Sequence, residues 1–136
     1  MAGHFGHIKA LAFDAYGTLF NTHSVIATCE ALFPGNGDAL SRLWRSKQLE
    51  YTWLISLMED YQDFGEVTSK ALRFSCNSLG LTLDRQIEQN LMNEYLKLEP
   101  FPDTRPALKA LAGYRLTILS NGSPSMLEKM VANAEL

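Results

Sequence analysis

Two short apolar runs, each ending in polar residues and glycine, frame a long stretch of helical periodicity. The first, Ile8-Lys9-Ala10-Leu11-Ala12-Phe13, is too short and too closely bounded by Tyr16-Gly17 for an ordinary helix, and predicts a buried strand. The second, residues 115–119, is apolar and β-branched and runs into Ser120-Asn121-Gly122, which predicts another strand. Between them strand alternation is absent. A helix over about 24–32 is stopped by Phe33-Pro34-Gly35, and Asp38 then reads as the cap of a long helix with Leu40, Leu43, Trp44, Tyr51, Leu54 and Met58 on one broad face. A third helix over about 67–79 stops at Gly80, and a fourth follows Asp84 with Ile87, Leu91, Tyr95 and Leu98 as one stripe. Residues 99–103 read as a proline-rich linker, 106–112 as a short helix ended by Gly113, and Ser123-Pro124 as an N-cap with Pro at the first helical position.

This order predicts an α/β chain: one strand, a wholly helical insert over 22–98, and a return to helix, strand and helix. Residues 1–21 and 99–136 are expected to form a core domain, and 22–98 a separate helical unit able to close over a crevice as a lid. Asp14 leaves the carboxyl end of the first strand, where open α/β sheets place their ligands. By the loop alone, a turn-capping Asp fits as well. Ser120 and Asn121 hold the matching place after the second strand, beside a helix start whose free N–H groups attract anions; ordinary turn chemistry is their other reading.

The 136 residues, 46% hydrophobic and 20% charged, suit one modest core. A net charge of −3 and the lack of any basic tract give no global attraction to nucleic acid or to a membrane surface. No apolar stretch approaches spanning length, so a cytoplasmic location is expected. Cys29 and Cys76 are too few for a disulfide framework or a zinc site and read as buried thiols. Trp44 and Trp53 read as core or rim aromatics.

Phe13-Asp14-Ala15-Tyr16-Gly17-Thr18-Leu19-Phe20 and Ile118-Leu119-Ser120-Asn121-Gly122-Ser123-Pro124 resemble the two loops of the haloacid dehalogenase superfamily. Leu43-Trp44-Arg45 and Lys47-Gln48-Leu49-Glu50-Tyr51-Thr52-Trp53-Leu54 are similar to segments of its L-2-haloacid dehalogenases. The resemblance implies a partial, doubly wound, Rossmann-like core with a helical cap inserted after the first strand. It implies Asp14 as a nucleophile attacking C2 of an L-2-haloalkanoate, giving an aspartyl ester that water hydrolyses to the D-2-hydroxy acid. It further implies that Thr18 supports the ionised Asp14 and that Arg45 abstracts the halide. Ser120 would hold the substrate carboxylate and Asn121 the departing halide, with the N–H groups of Ala15 and Tyr16 assisting. Arg42 is expected to face solvent, and His4, His7 and His23 lie in no matching motif.

Tyr16 bears on the branch of the superfamily. Its phosphatases carry a second acid at this position to protonate a leaving alkoxide, whereas a halide leaves without a proton. Tyrosine there therefore points to a metal-independent dehalogenase with no cofactor; a Mg²⁺-dependent small-molecule phosphohydrolase and a non-catalytic remnant are the other readings. The long apolar helices of the insert suit a homodimer, an expectation carried in part by the resemblance. The family's nucleophile-steadying lysine and water-activating acid have no counterpart in the sequence, and Asn21 stands where many relatives have Asp. The chain is thus expected to be an N-terminal portion, impaired in turnover, with an open apolar flank along Leu116 and Ile118.

Overall fold

A computed structural model describes residues 6–136 and pairs two four-residue strands, β1 (Ala10–Phe13) and β2 (Arg115–Ile118), in parallel, with Ala10 beside Arg115 and Phe13 beside Ile118. Parallel pairing sets both carboxyl ends at one end of the sheet, so Asp14 and Leu119-Ser120 emerge side by side; the Leu119 N–H donates to Phe13 O at 2.9 Å. Between the strands run α1 (Ile26–Leu32), α2 (Gly37–Leu57), α3 (Phe64–Ser78), α4 (Arg85–Tyr95) and α5 (Thr104–Ala110), and α6 (Pro124–Asn133) follows β2. The predicted α/β order holds.

Local chemistry explains most of the helix ends. Asp63 accepts from Gly65 N at 2.7 Å and Asp84 from Ile87 N at 2.8 Å, two side-chain N-caps. Gly80, at φ +67°, ends α3 in the left-handed conformation that a side chain resists. Ser123 and Pro124 take the N-cap and first helical positions as expected. Helix α5 starts two residues earlier than expected, because Thr104 donates to Leu19 O at 2.8 Å and Pro106 fits within the first turn. Strand β1 starts at Ala10, not Ile8, where its ladder with β2 begins; Ile8 is exposed.

Helix α2 departs further from expectation. Asp38 is not its cap: it lies in the first turn and pairs with Arg42 at 2.8 Å. The helix start is served by Glu30 of α1, whose carboxylate accepts from Gly35 N at 2.6 Å and Gly37 N at 2.8 Å. Glu30 packs so closely that a Cβ at Gly37 would meet its Cβ at 2.6 Å. The buried face runs Leu40, Ser41, Trp44 and Gln48, and Tyr51 packs against Phe74 of α3, whereas Leu54 and Met58 are exposed.

The core holds Phe20, Leu40, Trp44, Leu72, Leu91, Tyr95, Leu98 and Met130, so it joins α2, α3, α4 and α6 to the Asp14 loop. Trp44 satisfies its buried Nε1–H on Thr68 O at 2.8 Å. Trp53, by contrast, is 62% exposed and stands outside the core. Cys29 and Cys76 are buried free thiols as expected. Leu116 and Ile118 are half-buried and line, with Phe13, Leu108 and Val131, an apolar concavity of about 290 Å³, so the expected flank is partly covered; Leu119 just beyond them is exposed. No described helix is long and apolar enough to cross a membrane.

Candidate active site

The loop after β1 closes on one carbonyl. Ala15 O accepts from Thr18 N at 3.3 Å, Leu19 N at 3.0 Å and Phe20 N at 3.0 Å, and Gly17, at φ +91°, supplies the left-handed turn and donates to Phe20 O at 2.8 Å. This winding brings the Thr18 hydroxyl to Asp14 Oδ2 at 3.1 Å. Asp14 itself is exposed at the strand end. The loop's own backbone bonds engage the N–H groups of Gly17 to Phe20, and, among the described residues, not those of Ala15 or Tyr16.

Arg45 reaches this loop from the buried half of α2. Its Nη2 donates to Tyr16 O at 3.1 Å and its Nη1 to Gln48 Oε1 at 2.7 Å. A Cβ at Gly17 would stand 3.9 Å from Nη2, so the guanidinium lies directly against the turn. Arg42, three residues earlier, points away, exposed and paired with Asp38. A half-buried guanidinium held on the loop that carries an exposed carboxylate offers a fixed cation to an anion bound at that loop.

The second loop approaches through Tyr16. Ser120 Oγ accepts from Gly122 N at 3.2 Å, and Gly122 faces the Tyr16 ring so closely that a Cβ there would meet Tyr16 Cε2 at 2.9 Å. Asn121 is exposed and borders a cavity of about 410 Å³ with Thr52, Ile55, Phe64 and Val67. Thus Asp14 and Thr18 meet directly, as do Arg45 and Tyr16. Ser120 and Asn121 join them by packing through Gly122, without a hydrogen bond to Asp14 or Arg45 among the described residues.

The Tyr16 ring is buried between Phe64, at 5.0 Å, and Tyr95, at 5.9 Å. Desolvation by burial, then the neighbouring Tyr95, pushes its phenol well above the ordinary range, so it stays neutral. Its hydroxyl abuts Gly122. His23 Nδ1 lies 3.3 Å from Ser41 Oγ; His4 falls outside the described residues.

Three residues were given no role at the site by the sequence: Gln48, which orients Arg45, and Thr68 and Tyr95, which hold Gln48 at 2.7 Å and 2.9 Å. The available signal was a polar residue on an apolar stripe, since Leu40, Trp44 and Gln48 recur every fourth position and the last is as buried as the first.

Comparison with known proteins places this arrangement in context. A family profile for haloacid dehalogenase-like hydrolases matches residues 8–136. An (S)-2-haloacid dehalogenase of Pseudomonas putida is 52% identical over 132 residues, covering 96% of this chain and 58% of that protein. The solved structure of L-2-haloacid dehalogenase from Xanthobacter autotrophicus superposes with a TM-score of 0.90 at 46% identity, covering 95% of this chain and 53% of that one. A second structure of that enzyme, with chloropropionic acid covalently bound, superposes equally well at 0.90, with the same identity and coverage. The chain therefore spans a little over half the length of these relatives.

Proposed function

Since the chain belongs to the haloacid dehalogenase-like hydrolases, we propose that it provides the nucleophile and anion-binding elements of an (S)-2-haloacid dehalogenase. Asp14 attacks C2 of an L-2-haloalkanoate from the face opposite the halogen. A carbon–oxygen bond forms as the carbon–halogen bond breaks, the centre inverts, and the electron pair leaves with the halide toward Arg45 and Asn121. Ser120 and the N–H groups of Ala15 and Tyr16 hold the substrate carboxylate, and Thr18 steadies Asp14. Water then adds to the aspartyl carbonyl and releases the D-2-hydroxy acid.

The observation that carries the reading is the pairing of a strand-end carboxylate, hydrogen-bonded by Thr18 at 3.1 Å, with a guanidinium fixed across the same loop by Tyr16 O at 3.1 Å. The covalent chloropropionic acid in the Xanthobacter autotrophicus enzyme supports it. Tyr16 supports it too: a neutral phenol facing Gly122 is not placed to protonate a leaving alkoxide, which phosphate ester hydrolysis requires. A monoanionic haloacid is met by one cation and N–H donors, so the reading invokes neither metal nor cofactor. It assigns residues 1–21 and 99–136 to the core and 22–98 to a cap. A cytoplasmic location accords with the two free thiols. Exposed Trp53, Leu57, Met58 and Tyr61 suit a homodimer.

Incubation with L-2-chloropropionate, followed by mass spectrometry of the Asp14 peptide and chloride assay, tests the reading. A propanoate ester on Asp14, or chloride released with hydroxy acid, is expected, independent of added Mg²⁺ and absent in Asp14→Asn. Chloride release by a folded Asp14→Asn variant, or Mg²⁺-dependent hydrolysis of phosphate esters without dehalogenation, refutes it.

A further inference from the structure

Gln48 is fully buried on α2, one turn beyond Arg45. A glutamine amide has an accepting and a donating end, and its neighbours decide which faces where. Here they leave one arrangement. The Thr68 hydroxyl gives its single proton to Phe64 O at 2.6 Å, so its oxygen is free only to accept, and it accepts from Gln48 Nε2 at 2.7 Å. Gln48 Oε1 is thereby turned to the opposite side, where Arg45 Nη1 at 2.7 Å and the Tyr95 hydroxyl at 2.9 Å both donate to it. The chain of bonds runs from a backbone carbonyl of α3, through a side chain of α2 steadied by α4, to the guanidinium. Because Nη2 is held by Tyr16 O at 3.1 Å, both arms of the fork are engaged and its plane is fixed.

We propose that Gln48 is a positioning residue whose oriented amide oxygen holds the Arg45 guanidinium against the Asp14 loop without cancelling its charge. The functional value of this rests on the reading of Arg45 as the halide-binding cation. A carboxylate at position 48 would orient the guanidinium equally well but pair with it, weakening its hold on an anion. A neutral acceptor orients the cation and leaves its charge for the ligand, so binding demands no further ordering of a long side chain.

Nitrogen-15 NMR of the 136-residue protein tests this directly. A fork pinned at both arms rotates slowly about its Nε–Cζ bond, the motion that exchanges Nη1 with Nη2, so the wild type is expected to show separate Nη1 and Nη2 resonances for Arg45. Gln48→Met keeps the volume and removes the acceptor; the two resonances should merge while the backbone amide spectrum stays that of the folded protein. Gln48→Glu should restore them. Chloride titration followed at Arg45 Nε–H should give about tenfold weaker binding in Gln48→Met, because the freed side chain must be ordered again on binding. Binding should be weaker still in Gln48→Glu, where the orientation is kept but the charge is neutralised. Averaged Nη resonances in the wild type overturn the proposal even if neither variant folds, as does their persistence in Gln48→Met. Separate resonances that chloride leaves untouched would uphold the positioning and overturn instead the halide role of Arg45.

Discussion

Replacing Gly122 by alanine tests the contact that joins the two loops of the site. Gly122 is not among the glycines at positive φ, so its backbone admits alanine and the obstacle is steric. The added Cβ would stand 2.9 Å from Tyr16 Cε2, 3.0 Å from Tyr16 Oη and 3.0 Å from Leu127 Cδ2. Favourable carbon contacts lie at about 3.5–4.0 Å, so the neighbours must retreat by about half an ångström or more. Leu127 is half-buried and can change rotamer; the Tyr16 ring, wedged between Phe64 and Tyr95, cannot swing aside. Overpacking of this kind costs about 1–3 kcal/mol, and the reduced freedom of the unfolded chain returns about 0.4–1 kcal/mol, leaving a net loss of about 0–2.6 kcal/mol. Urea unfolding followed by circular dichroism should show this as a lower midpoint at unchanged slope. Gly113→Ala is the control: nothing lies within 4 Å of its Cβ position, so only the unfolded-chain gain applies and its stability should rise by about 0.4–1 kcal/mol. Displacing Tyr16 also moves the carbonyl that anchors Arg45, so the Arg45 resonances should lose their separation. A Gly122→Ala protein as stable as the wild type, with its Arg45 resonances still separate, would refute the steric argument.

Other outcomes follow from the same structure. The Tyr16 hydroxyl is buried and has no hydrogen-bond partner among the described residues, so Tyr16→Phe should raise stability by about 1 kcal/mol; a lower urea midpoint would mean that the hydroxyl is satisfied. Glu59 takes φ +55° just past α2, and Glu59→Gly should raise stability by about 0.5–1 kcal/mol, seen as a higher urea midpoint, left-handed strain outweighing the added freedom of the unfolded chain. Burial pushes the Cys29 thiol up to about 12 and Cys76 up to about 11 from an ordinary 9.0. Above that ordinary value the unfolded chain binds fewer protons than the folded one, so stability should fall as pH rises through this window, and fall less steeply in a Cys29→Ala/Cys76→Ala variant. Equal slopes for the two proteins would count against the shifts.

Features set by near neighbours along the chain are legible in the sequence itself. The Asp84 cap and the Ile87, Leu91, Tyr95, Leu98 stripe need only helical spacing, and the Asp14–Thr18 contact closes within four residues. Trp44 and Trp53 show where such reasoning stops. Nine residues put them about 180° apart on α2, so burying one exposes the other, but the pattern does not say which. The cap of α2 misled for a related reason: Asp38 sits where a cap belongs by spacing, yet Glu30, across a turn, took the amides first.

Sequence alone was thus sufficient for the strands, the helical insert and the candidate residues Asp14, Arg45, Ser120 and Asn121, because each is written in local pattern or motif. The parallel register that sets the two loops side by side, and the orientation of Arg45, came from the folded molecule. Thr68 and Tyr95 reach Gln48 across 20 and 47 residues of chain. A hydrogen bond between such distant partners exists only once three helices have packed, and burial then fixes which way the Gln48 amide must face.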